Sequence, residues 1–237
     1  VDDIAALPRH KLLFLDCTPK QIVAMKGLQL TPPYRRQLEQ YRQGMGIFKV
    51  DWALSEAVPF TNVDVREAGT VHIGGTMAEI AQYEKITHQG KMADKPFVLF
   101  AQQSKFDNTR APQGRHTGWA YCHVPHGSSH DYTEAIEKQI ERFAPGFRDT
   151  ILAKHTFSSP QMEAYNPNYV GGDINGGIMD IRQLYTRPVK SLTPYRTSNA
   201  AVYICSSATP PGGGVHGMCG YQAAKVALHD HYGILKN

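Results

Sequence analysis

The sequence predicts an α+β fold, an antiparallel or mixed sheet with flanking helices, and three observations lead there. Clean apolar–polar alternation recurs through the middle of the chain. Capping signals open helices between those stretches without the steady strand–helix–strand rhythm of a parallel sheet. The last predicted strand then runs into a glycine-rich loop and an amphipathic helix.

Taken in order, residues 11–15 form a short apolar run that predicts a strand, after which Thr18 as N-cap and Pro19 at the first helical position open a helix through Met25. No second parallel strand follows closely, so this unit stands without a neighbour. Thr31, Pro32 and Pro33 start a polar helix running through Tyr41 and closed by Gly44 and Gly46. Residues 47–54 alternate, with Phe48, Val50, Trp52 and Leu54 on one side and Lys49 and Asp51 on the other, the pattern of a half-buried antiparallel strand. Residues 70–73 predict another strand, and Thr76 with Glu79 forms a capping box for a helix that reaches His88 and stops at Gly90. Residues 97–102 and 117–124 are further strands. Asp131 with Glu134 reads as a second capping box, and Ile136, Ile140 and Phe143 mark the buried stripe of the helix it opens. Residues 150–157 predict a strand, residues 158–200 an irregular stretch with only hints of helix. Residues 201–205 are the closing strand, and residues 215–231 the final helix.

Composition narrows the function classes. Of 237 residues, 41% are hydrophobic and 19% charged, which excludes wholesale disorder. The net charge of +4 is scattered, Arg35-Arg36 being its densest spot, so the basic stripe of a nucleic-acid binder is missing. No apolar run approaches the ~20 residues of a membrane-spanning helix, although peripheral membrane contact stays open. The acidic opening residues are followed by no basic-then-apolar leader. The four cysteines, Cys17, Cys122, Cys205 and Cys219, contain no C-x-x-C pair. A reducing, cytoplasmic setting is the expectation. The chain begins with Val rather than Met and reads as a piece of something longer.

The most informative stretch is residues 202–220. Its Gly212-Gly213-Gly214 loop lets backbone approach a ligand closely, and the following helix start offers free N–H groups and a dipole that favour negative charge. Val215, Met218, Cys219, Ala223, Val226 and Ala227 share one face at helical spacing. The local reading is an anionic or flat ligand seated on the helix start; its rival is a plain helix N-terminus with a flexible loop. The spacing is neither that of a P-loop nor a G-x-G-x-x-G motif within a βαβ unit.

The stretch Thr209-Pro210-Pro211-Gly212-Gly213-Gly214-Val215-His216-Gly217 resembles the C-terminal flavin signature of phytoene-desaturase-like FAD-dependent oxidoreductases. Residues 13–19 resemble the strand and turn by which the chain leaves that family's FAD domain, and residues 48–54 and 116–125 its substrate-domain strands. Residues 166–177, then Gln183-Leu184 and Arg187-Pro188, resemble the stretch leading back toward the flavin. The resemblance implies three parts: residues 1–30 as a residual strand and helix of a Rossmann-like FAD domain, residues 31–190 as the substrate-binding domain, and residues 191–237 as the closing FAD-binding segment. It implies FAD as cofactor, held by Thr209, Pro211, Gly212, Gly213, Gly214, Val215, His216, Gly217, Asp173, Asn175 and Gly176. It further implies dehydrogenation or desaturation of an apolar, isoprenoid-like small molecule. The family's opening dinucleotide-binding unit with its glycine fingerprint has no counterpart here, so the chain reads as a C-terminal fragment, inactive by itself.

The cofactor carries the hydride chemistry in such enzymes, and no general base stands out. His216 reads as a hydrogen-bonding or capping group, Lys49 with Asp51 as a solvated ion pair, and Arg182 and Arg187 as steadying either a loop or a carboxylate. Asp173, Asn175 and Gly176 also fit a plain Gly-Asp-Asn turn. Two rival classes are a non-catalytic ligand-binding domain and a zinc protein using His116, Cys122, His123, His126 and His130. Against zinc, alternation puts Cys122 and His123 on opposite faces of their strand; no metal is expected.

Overall fold

The computed structural model describes residues 2–234, and the chain divides into two compact units. In chain order the elements are β1 (Leu13–Leu15), α1 (Pro19–Ala24), α2 (Pro32–Glu39), β2 (Gly46–Leu54), α3 (Val63–Arg66), β3 (Thr70–Ile73), α4 (Met77–His88), β4 (Val98–Ala101) and β5 (His116–Val124). There follow α5 (Thr133–Glu141), β6 (Ile151–Phe157), α6 (Ser159–Tyr165), α7 (Ile181–Leu184), β7 (Val202–Ile204) and α8 (Met218–Tyr232). The architecture is mixed α+β, with an antiparallel sheet and flanking helices.

The central unit, residues 45–165, is built on a five-stranded antiparallel sheet in the order β3-β4-β5-β2-β6. Register follows the alternation: Val50 faces Ala120 and Trp52 faces Gly118 across the β2–β5 pair. Gly118 leaves room for the Phe100 ring, since a Cβ there would meet it at 3.0 Å. Behind the sheet, Trp52, Phe100 and Phe147 join a buried apolar cluster completed by Ile136 and Ile140 of α5. Trp52 and Phe147 meet edge to face with ring centroids 5.4 Å apart, a favoured aromatic geometry. Buried Glu137 of α5 accepts from Trp52 Nε1 at 3.1 Å and from Lys154 Nζ at 2.8 Å, so its charge is answered. The Thr76–Glu79 capping box forms in full at the start of α4.

The other unit, residues 1–44 with 166–237, centres on a parallel pair, β1 with β7, in which Leu13 faces Val202 and Leu15 faces Ile204. The strand without a near neighbour in the sequence thus finds its partner close to the far end of the chain. Leu15, Ile22, Leu38, Val189, Val202 and Ile204 form its core. Residues 31–44 and 166–190 cluster here rather than with the central sheet, because Leu38 of α2 and Val189 bury their side chains in this core. α8 is tied to β7 by Asp230, which accepts from Tyr203 Oη at 2.9 Å and from Arg196 Nε at 2.7 Å.

Several local expectations change. α8 begins at Met218, not Val215: Gly217 takes φ 64, a left-handed N-cap that a right-handed helix cannot include. Val215 is therefore outside the helix and fully exposed, and the buried stripe is Cys219, Ala223 and Ala227. The Asp131–Glu134 capping box does not form. Asp131 instead accepts from Thr133 N–H at 2.7 Å, buried Tyr132 takes the N-cap position, and Glu134 pairs with Arg148 and Lys138. Phe143 lies beyond the end of α5 and is partly exposed. α2 stops at Glu39, two residues short of Tyr41, and residues 159–165 form a helix within the stretch expected to be irregular.

Candidate functional site

Both parallel strands end at one edge, and the segments that leave their carboxyl ends are Asp16-Cys17-Thr18-Pro19 after β1 and the glycine-rich loop after β7. The carboxyl edge of a parallel pair is where α/β layers place ligands. Ser206 links the two segments by donating from Oγ to the Cys17 carbonyl at 2.8 Å. Wholly buried Thr209 folds the loop back, giving both its N–H (2.9 Å) and its Oγ1 (2.7 Å) to the Ser206 carbonyl. The Cys219 thiol reaches back from α8 to the carbonyls of Thr209 and Gly212, at 3.5 Å each.

The second predicted motif, residues 173–177, lies against this loop. Buried Asp173 accepts from Gly44 N–H at 2.6 Å and Gly177 N–H at 2.9 Å through Oδ2, and from Asn175 N–H at 2.8 Å through Oδ1. Its carboxylate therefore organises a turn, as the Gly-Asp-Asn reading has it. Gly213 packs so closely on that turn that a Cβ would lie 3.1 Å from the Asn175 carbonyl oxygen. Arg187 holds the two motifs together. Completely buried, it donates to Ser207 O at 2.8 Å, Ala208 O at 3.3 Å and Gly176 O at 3.3 Å, and it also touches the Met179 sulfur. Of the two roles open to Arg187, steadying a loop is the one observed. Tyr41 completes the clasp by donating to the Gly176 carbonyl at 2.6 Å. Burial pushes its phenol up to about 12 against the opposing pull of Arg187, so Tyr41 remains a donor at neutral pH. Nothing local in the sequence marks Tyr41. Arg187 was marked only by the Arg187-Pro188 pair in the stretch resembling the family's run toward the flavin.

Beyond this clasp the loop opens. Pro211 and residues 213–217 are exposed, with Gly212 buried beneath them. His216 caps the helix by accepting from Met218 N–H at 3.0 Å. The next two N–H groups, of Cys219 and Gly220, have no protein acceptor among the described residues. A Cβ placed on Gly217 or on Gly220 meets no atom within 4 Å. Gly217 needs glycine for its φ. Gly220 is an ordinary helical residue, where glycine costs about 1 kcal/mol relative to alanine, and no protein side chain claims the vacated space.

In the central unit, the polar side of the sheet carries a row of rings. Trp119 and Tyr121 stack with centroids 6.2 Å apart and planes 7° from parallel. Lys49 Nζ lies 5.8 Å from the Trp119 centroid and pairs with Asp51, the ion pair expected from their shared face. The residues proposed for zinc do not converge. Cys122 is buried in the core, His123 sits on the other face against Glu84 at 2.9 Å, and His116 contacts Ser104 at 3.1 Å. Among the described residues, no three His, Cys, Asp or Glu side chains are grouped to hold a metal ion. Nor is any described helix long and apolar enough to cross a membrane.

The fold has a solved counterpart in an oxidoreductase from Methanosarcina mazei, at TM-score 0.52 and 11% identity, over 94% of this chain and 44% of that one. That likeness concerns the fold alone. No family model matches the chain. Among curated proteins it is 32% identical over 153 residues to pyridine nucleotide-disulfide oxidoreductase domain-containing protein 2 of Mus musculus, covering 60% of this chain and 26% of that protein. The Rattus norvegicus protein of the same name is 31% identical over the same shares. The chain thus spans about a quarter of the length of the curated relatives it matches.

Proposed function

We propose that this chain supplies the closing cofactor segment and the substrate platform of a flavin-dependent oxidoreductase. The observation that carries the reading is the exposed loop at the carboxyl edge of β1 and β7, where two free N–H groups and the uncontested space at Gly217 and Gly220 meet. Its relatives' names support the oxidoreductase class. The donor set suits FAD. A helix start with unpaired N–H groups stabilises negative charge, and a flat ring needs backbone without side chains. When bound, the flavin supplies the two-electron chemistry. The protein's part is to hold and polarise it: Pro211 and Gly212–Gly217 line the approach, while Thr209, Asp173, Asn175, Gly176 and Arg187 keep the loop in shape from beneath.

The substrate in this reading is an apolar small molecule lying on the Trp119–Tyr121 face, whose rings offer apolar area with few demands on hydrogen bonding. The disulfide chemistry in the relatives' name is not carried over. Burial raises the thiols of Cys17 and Cys122, and burial with nearby Asp16 pushes Cys205 up to about 11, so none is a ready thiolate. The test is the visible absorption spectrum of the full-length gene product. Bound-flavin bands that bleach on reduction are expected; a colourless full-length protein that takes up no added FAD overturns the reading.

A further inference from the structure

A second site lies in the terminal unit, between α2 and the segment around α7. It is a cavity of 360 Å³ whose walls include Gln37, Tyr41, Arg42, Arg182, Val189 and Lys190, within the size range of small-molecule sites. Two of the lining amide oxygens are used within the fold: Gln37 Oε1 takes the Lys190 N–H at 3.1 Å, and the side-chain oxygen of Gln183 takes the Arg42 N–H at 2.9 Å. Arg42 is neutralised by a two-point pair with Asp180, at 2.7 and 2.6 Å, and Glu39 of α2 is paired with Arg35 at 3.1 Å. The side chains of Arg182 and Lys190 have no carboxylate partner among the described residues. The cavity therefore offers two uncompensated cations and no free carboxylate, over an apolar wall of Val189 and Pro188.

We propose that this cavity binds a small organic anion, with its carboxylate or phosphate held by Arg182 and Lys190 and its carbon body against Val189 and Pro188. The Arg182 guanidinium matches the two-oxygen geometry of either group, and the Lys190 ammonium adds a point charge. The floor is rigid before binding: Asp180 caps α7 through the Arg182 and Gln183 N–H groups while gripping Arg42, and Gln183 donates to Arg42 O at 2.9 Å and Ile178 O at 3.3 Å. A preformed floor lowers the ordering cost of binding.

The experiment titrates phenyl phosphate, and separately benzoate, into the chain and follows backbone amide NMR shifts. Saturable shifts centred on residues 37–42 and 182–190 are expected with at least one anion, and the tighter of the two separates phosphate from carboxylate. The double variant Arg182→Gln/Lys190→Gln should weaken binding about tenfold or more, while Lys190→Arg retains it. Both side chains are exposed and bear no structural bond, so the variants fold. Shifts that never saturate with either anion, or equal affinity in the double variant, overturn the proposal. The readout needs no flavin, so its outcome is separate from that of the spectrum above.

Discussion

The two units hold themselves together by different means. In the central unit, a continuous apolar cluster from Phe48 to Phe147 fills the space behind the sheet, and its polar insertions, such as Glu137, are few and answered. The terminal unit has a smaller core, six buried apolar residues with partly buried ones packed against them among the described residues, and its loops are held by side chains that satisfy backbone groups: Asp173, Arg187, Thr209 and Ser206. Apolar burial is non-directional and tolerates drift. Hydrogen bonds are directional, and those to charged groups the strongest, so they hold the backbone groups they satisfy in defined positions. The contrast teaches that the glycine-rich loop is shaped for position more than for stability, which is what the proposed cofactor role asks of it.

Substitutions sharpen that contrast. Trp52→Ala removes the ring against Phe147 and Phe100 and one of the two donors to Glu137, so about 4 kcal/mol of stability should be lost; urea denaturation followed by circular dichroism reads it. Loss below 1 kcal/mol would mean that the cluster is not the unit's main support. Arg187→Met removes the guanidinium donor from the carbonyls of Ser207 and Ala208, while Gly176 O keeps the Tyr41 hydroxyl, at a cost of about 2 kcal/mol. Its signature is local: hydrogen exchange should accelerate at the amides of Thr209 and Gly212 while the β2–β5 amides keep their protection. Uniform acceleration in both units would contradict the division drawn here.

The smallest effect concerns acid. The Arg196 guanidinium holds the Asp230 carboxyl well below the usual range, helped by the Tyr203 hydroxyl. A folded value lower than the unfolded one, about 4, gives stability that is full above that pH and declines as pH falls toward the folded value. Asp230→Asn should therefore lower the melting temperature at neutral pH and flatten its decline in acid. An unchanged acid profile would show that the pair contributes nothing measurable.

Legibility in the sequence divides along the same line. β2 and β5 were readable because side-chain alternation is local, and the Thr76–Glu79 box because its partners lie three residues apart. The same spacing at Asp131 and Glu134 failed, since buried Tyr132 occupies the N-cap and the Asp131 side chain closes a tighter turn. The β1–β7 pair left no local pattern because its strands lie near opposite ends of the chain, and only the resemblance assigned both ends to one domain. Of the candidate site, the glycine-rich loop and the 173–177 turn were visible as motifs. Their meeting was implied only by the family resemblance, and the residues that secure it, Arg187 and Tyr41, make bonds to backbone carbonyls that leave no periodic trace. The start of α8 was misplaced because a sequence does not display the sign of φ at Gly217.

The central claim, that the space at the start of α8 is reserved for a cofactor, is tested most directly at Gly220. Gly220→Leu adds a side chain whose Cβ meets no atom within 4 Å beyond the helix's own backbone and replaces glycine by a good helix former. The chain's melting temperature should stay level or rise, while the flavin content of the full-length protein carrying the same change falls sharply against the unsubstituted protein. Flavin retained at the unsubstituted level would contradict the account and leave the loop as an ordinary helix start.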